Sequence, residues 1–197
     1  MDISCKKITF YLSLLLLVGT IACNEKTAKE TPLPAEIQAA IDQAKGKNLV
    51  FPDSLGLDIR NNELSFSEIR NNGKPKIITQ VNTDCSVCFA TMNAWEEEKE
   101  HFNREEVDII FIAEGGSPDI VTVFIDKGNT ISFPIFFDTQ KDYIKLNQLD
   151  EFPEKKCVLI NEKDEIILVG SPFETQELLG KYIQTVKALG KNKNANS

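Results

Sequence analysis

The chain has 197 residues, 42% hydrophobic and 26% charged, enough to bury a real core within one globular domain. A formal net charge of -8, with lysines scattered among acids, argues against a nucleic-acid surface, because such a chain repels phosphate backbones. The single histidine, His101, is the one base available to a Ser/His/Asp triad and leaves too few nitrogen ligands for a multi-histidine metal site.

The N-terminus places Lys6 and Lys7 before an apolar region, Ile8 to Ala22, that is short for a membrane span. It has the form of a targeting segment and is set aside from fold reasoning. Its end, Gly19-Thr20-Ile21-Ala22-Cys23, resembles the lipobox of bacterial lipoproteins, although Thr20 stands where Leu is commonest. The resemblance implies that residues 1–22 are a lipoprotein signal peptide and that Cys23 is lipidated. The domain would then be anchored to a membrane of the bacterial envelope, outside the cytoplasm and on the periplasmic side. A plain secretory cleavage after Ala22, with Cys23 left free, is the alternative. Cys5 leaves with the signal in either case, so the folded part carries Cys85, Cys88 and Cys157. An odd count in an exported protein points to at least one functional or buried free thiol.

Residues 23–47 read as a tether and a short helix. Asn24 to Pro34 is polar and contains two prolines, and Ile37, Ala40, Ile41 and Ala44 recur at helical spacing. Leu49-Val50-Phe51 and Leu57-Asp58-Ile59 are expected as extended edge pieces, interrupted by Pro52 and Gly56. Lys76 to Val81 is a buried strand by its β-branched content. An amphipathic run from Phe89 to Phe102 follows, and Cys88, Met92, Trp95 and Phe102 should turn inward. Glu96-Glu97-Glu98, Lys99-Glu100 and His101 are expected to face water.

Val107 to Ala113 predicts a second strand, and Ser117-Pro118-Asp119 a helix start, with Ile120, Val121, Phe124 and Ile125 inward. Phe133 to Phe137 predicts a short strand, and Asp138 to Leu149 another helix. Lys156 to Asn161 and Glu165 to Gly170 form a hairpin around Glu162-Lys163-Asp164, and Phe173 to Leu189 is a last amphipathic helix. Leu178, Leu179, Ile183 and Val186 mark its inner face, and residues 191–197 read as a frayed tail. The order predicts an α/β class with a mixed sheet and helices on its faces.

Between the first strand and its helix lies Cys85-Ser86-Val87-Cys88. A strand that ends in C-x-x-C and opens a helix presents one thiol at the positive helix end and tucks the second beneath it. By position Cys85 is the attacking thiol and Cys88 the resolving one. The helix end should lower the first thiol's pKa, while Asp84 opposes this if its carboxylate faces the sulfur. A static disulfide and half a zinc site, completed by Cys157 and His101, are the competing readings. So short a loop constrains an unfolded chain little, and zinc needs about four ligands.

These residues resemble the thioredoxin superfamily, and in particular its TlpA-like/redoxin branch of membrane-anchored bacterial thiol-disulfide oxidoreductases. The likeness spans about residues 48–190 and is carried by Cys85-Ser86-Val87-Cys88 after a strand and by Val158 to Ile166 as a strand, turn and strand. Gly170-Ser171-Pro172 adds to it. It implies a thioredoxin-like fold over residues 48–190, a central mixed sheet flanked by helices, and disulfide exchange with envelope proteins, with no cofactor and no metal. Cys157, opening the hairpin, would lie near the pair and is either a third redox thiol or a buried bystander.

There are departures. Pro153 falls about two residues before the place of the superfamily's cis proline, and Thr79 stands where thioredoxins keep a proton-handling aspartate. These motivate a second reading, a lipid-anchored binding module with weak or lost redox activity. A thiol peroxidase fits less well, because Ile78 and Asn82 occupy the places of that pattern's Pro and Thr.

Overall fold

The computed structural model describes residues 32–56, 58–59, 64–84, 86–102, 106–115, 117–149 and 156–194, with the side chains of 86–88 and 192–194 outside the description. The expected signal peptide, Cys5, Cys23, most of the tether, Pro153 and Cys85 lie outside the described residues.

Helix α1 (Ala35–Ala44) buries Ile41 and Ala44 and ends where the Gly46 N–H reaches the Ile166 carbonyl at 2.8 Å, which docks the segment on the later hairpin. Helix α2 (Phe66–Arg70) was not expected from apolar spacing, since five residues are too few to show a period. It starts on a capping box in which Ser65 and Glu68 satisfy each other's backbone N–H groups. The expected edge pieces before it reduce to two isolated bridges, Asn48 with Glu165 and Asp58 with Phe136. Leu57, the first residue of the second piece, lies outside the described residues.

Five strands follow: β1 (Lys76–Asn82), β2 (Asp108–Glu114), β3 (Ile135–Phe137), β4 (Cys157–Ile160) and β5 (Ile166–Val169). They pair in the order β3-β2-β1-β4-β5. β1 is parallel to β2 and antiparallel to β4; β2 and β3 are parallel, and β4 and β5 antiparallel. The parallel pairs need crossovers. These are helix α3 (Ser86–Glu98), with a 3-10 turn at Lys99–His101, and helix α4 (Pro118–Asp126). Helix α5 (Asp142–Asn147) leads toward β4, and helix α6 (Gln176–Asn194) closes the fold, running past the expected end at Leu189 into the predicted tail.

Register assigns the two sheet faces. Thr79 is opposite Cys157 on one side and Phe111 on the other, so these three share a face, and Cys157 meets Tyr182 of α6 there. On that face Trp95 of α3 packs on Phe102 and Phe173 with centroids 5.4 and 4.8 Å apart. Phe136 points the opposite way, where Phe66, Phe51 and Tyr143 form an aromatic chain under α2 and α5. All residues of β1 except Asn82 are buried, as a central strand covered on both faces requires.

Two expected orientations are corrected. Ile120 is 37% exposed rather than inward; α4 buries Val121 and half-buries Phe124 and Ile125. Glu96 is not solvated with its neighbours. Its carboxylate accepts the backbone N–H of Ser132 and, at 2.9 and 3.0 Å, the Ser132 hydroxyl, tying α3 to the approach to β3. Among the described residues no helix is long and apolar enough to cross a membrane.

Candidate functional site

The central strand ends at Asn82 and α3 begins at Ser86. By sequence Cys85 therefore immediately precedes a 13-residue helix, and Cys88 is that helix's third residue. The position of Cys85 and the side chain of Cys88 lie outside the described residues, but the frame around them is defined.

Three residues bridge strand and cysteine. The Asn82 side-chain oxygen accepts the Asp84 N–H at 2.8 Å, an Asx turn that bends the chain out of the sheet. Thr83 is buried and gives both its N–H, at 2.7 Å, and its hydroxyl, at 2.9 Å, to the carbonyl of Glu114 at the end of β2. Gly115 follows with φ 121°, and a Cβ there would stand 2.7 Å from Thr83 Oγ1 and 3.1 Å from an oxygen of Asp84. Only glycine permits both that backbone and that approach. The exposed Asp84 thus carries its carboxylate over the end of β2.

Below this turn, on the α5 face, the buried Glu114 accepts from the Gln80 amide at 3.2 Å. Its second oxygen meets the Lys141 ammonium at 3.2 Å, as an ion pair rather than an aligned hydrogen bond. Asp138, also buried, accepts the N–H groups of Asp142 and Tyr143 at 3.1 and 2.8 Å and so holds the start of α5.

On the other face Cys157 is buried and free, its sulfur 3.5 Å from the Thr79 hydroxyl and 4.0 Å from that of Tyr182. Burial pushes this thiol up to about 12, and the two hydroxyl contacts only partly offset it. Tyr182, whose hydroxyl donates to the Gly170 carbonyl at 2.9 Å, is likewise raised by burial. Thr79 therefore packs a neutral hydroxyl on a neutral thiol.

His101 stands apart, its side chain 58% exposed and 3.1 Å from Glu98, beyond the far end of α3. A cleft of about 730 Å³ lies at that end, lined by Lys99, His101, Phe102, Ile183 and Lys187 among others. Among the described residues no group of three or more His, Cys, Asp or Glu side chains is arranged to hold a metal ion. Between α3 and α4 there is an apolar surface. Phe89 stacks on Phe124 with centroids 4.3 Å apart, and α4 exposes Ile120 and Val123.

Sequence reasoning located the cysteines but passed over Thr83, Gly115, Tyr182 and the Gln80, Glu114 and Lys141 cluster. Gly115-Gly116 directly after a strong strand was the available signal for a close backbone approach.

Comparison with known proteins agrees with the fold. The model of the AhpC/TSA family matches residues 46–169. No curated protein matches the sequence. Among solved structures, the thioredoxin domain of a thiol-disulfide oxidoreductase from Bacteroides vulgatus superposes with a TM-score of 0.55 at 14% identity, covering 73% of this chain and 98% of that one. A thiol-disulfide oxidoreductase from Bacteroides fragilis gives 0.53 at 15% identity, covering 71% and 99%. Identities this low speak for the fold alone, and that fold is thioredoxin-like.

Proposed function

The chain belongs to the AhpC/TSA family, and on that premise we propose that it is a thiol-disulfide oxidoreductase acting on envelope proteins through Cys85 and Cys88. The observation that carries the reading is positional: Cys85-Ser86-Val87-Cys88 spans the junction between the central strand of a thioredoxin-like sheet and the N-terminus of a 13-residue helix. That junction offers unpaired backbone N–H groups and the positive end of the helix dipole to the first thiolate.

In the reducing direction the Cys85 thiolate attacks one sulfur of a partner disulfide. A sulfur–sulfur bond forms, the partner's second sulfur leaves as a thiolate, and solvent protonates it. The Cys88 thiolate then attacks the Cys85 sulfur, expels the partner's first sulfur and closes Cys85–Cys88. Two electrons pass from the pair to the partner, and the reverse sequence oxidises a dithiol. No cofactor enters either direction. Cys157 takes no part in this scheme, because a buried thiol held near 12 supplies almost no thiolate at neutral pH.

The stack of Phe124 on Phe89, the residue that follows Cys88 in the sequence, together with exposed Ile120 and Val123, supports a polypeptide as the partner, since an apolar surface can hold an extended or unfolded segment. Lipidation at Cys23 would tether the chain to a membrane outside the cytoplasm.

Insulin reduction by the wild type and by Cys85→Ser tests the proposal. Loss of the rate in the variant supports exchange, whereas equal rates leave only a lipid-anchored binding module. Trapping with Cys88→Ser should capture partners as mixed disulfides on Cys85; a Cys85–Cys157 bridge in that variant would restore Cys157 as a redox partner. Fatty-acid labelling that disappears in Cys23→Ala checks the anchor.

A further inference from the structure

We infer that Thr83 and Gly115 form a clasp that sets the reactivity of Cys85 from the neighbouring strand, which makes both of them positioning residues; the inference rests on Cys85 being the attacking thiol. Residue 85 is bracketed by two defined elements. On its C-terminal side is the first residue of α3, which carries the helix dipole. On its N-terminal side are only Asp84 and Thr83, and Thr83 is held by both of its donors on one acceptor, the Glu114 carbonyl, at 2.7 and 2.9 Å.

The contact extends the β1 and β2 pairing by one residue and stops it there. Gly115 turns β2 away at φ 121°, and its bare Cα leaves the space that the Thr83 hydroxyl and the Asp84 carboxylate occupy. The Asx turn from Asn82 to the Asp84 N–H holds the residue between clasp and cysteine as well. A thiolate gains from a helix end only while it stays within the first turn, so a shift of Cys85 away from that end weakens the effect. The clasp touches no reacting atom. It acts by fixing the backbone that delivers one.

The hydroxyl half of the clasp can be removed with little change of shape. Thr83→Val keeps the volume and the N–H bond but deletes the second donor, Thr83→Ser keeps that donor, and Gly115→Ala pushes a methyl into it. In each full-length reduced protein, iodoacetamide alkylation of the Cys85 peptide is followed by mass spectrometry across pH. In Thr83→Val the profile should move to higher pH, with alkylation at pH 7 slower by about two- to fivefold, the range that loss of a helix-end interaction spans. Thr83→Ser should restore the wild-type profile, which a general loss of stability would not do. Gly115→Ala should follow Thr83→Val if it folds.

A Thr83→Val profile that is unchanged, or moved to lower pH, overturns the clasp, as does a Thr83→Ser profile displaced like that of Thr83→Val. The two levels separate in the wild type. If wild-type Cys85 and Cys88 fail to exchange with glutathione, the parent reading falls and the clasp with it. If they exchange while the Thr83→Val profile is unchanged, the clasp alone falls.

Discussion

The Thr79 hydroxyl lies 3.5 Å from the sulfur of Cys157, directly across the pairing of β1 with β4. The contact is buried between the sheet and α6, and Tyr182 covers it from above. It places a neutral, close-packed pair in the core beneath the turn that leads to Cys85.

Alkaline stability should report this pair. Burial raises Cys157 to about 12 in the folded state, while in the unfolded chain it titrates near its ordinary value of 9.0. Between these values the unfolded chain binds fewer protons than the native one, so stability is complete below about pH 9 and declines as pH rises toward 12. At pH 10 this thiol alone should cost about 1.4 kcal/mol relative to pH 7. Urea unfolding of the wild type and Cys157→Ala at the two pH values checks it: the variant should start less stable and lose less. Native Cys157 should also resist alkylation until the protein unfolds.

Tyr182→Phe removes a hydroxyl that donates to the Gly170 carbonyl at 2.9 Å and borders Cys157. The ring and its packing remain, but a buried acceptor loses its donor. The expected loss is about 1–2 kcal/mol, measured as a lower urea midpoint with an unchanged slope.

Asp138 caps α5 with its carboxylate, which accepts from Asp142 and Tyr143. Asp138→Ala should cost about 1–2 kcal/mol, within the range for a lost helix cap, and Asp138→Asn less, because the amide oxygen still accepts. Thermal unfolding of the two variants distinguishes capping from a need for charge, since equal losses would point to charge.

Glu96 and Ser132 should be energetically coupled. The Glu96 carboxylate takes both the N–H and the hydroxyl of Ser132, while Lys99 pairs with it at 3.1 Å. A double-mutant cycle with Glu96→Ala and Ser132→Ala should show coupling of about 1 kcal/mol, and additive losses would deny it. Glu97→Ala, on the exposed side of the same helix, should change stability by less than about 0.5 kcal/mol.

Much of the fold was legible because its signals are local. The strands at 76–82 and 108–114 announce themselves as β-branched runs, and Met92, Trp95 and Phe102 mark the buried side of α3 and its extension. The errors have physical causes. Helix α2 was too short for periodicity, although Ser65 and Glu68 carried a capping signal. Ile120 looked inward because its neighbours do, yet α4 is amphipathic about Val121 and leaves Ile120 at the rim. Glu96 was read with an acidic run, and only the approach of Ser132, 36 residues away, drew it inward.

The sequence alone determined that a C-x-x-C pair follows a buried strand and opens a helix, because adjacency in the chain and a helical period are properties of neighbouring residues. Tertiary structure alone decided what holds that junction. Thr83 meets Glu114 across 31 residues, Gly115 leaves the space for it, and Thr79 finds Cys157 across 78. Those contacts follow from strand order and register, which depend on how distant apolar faces bury one another. No local pattern encodes them.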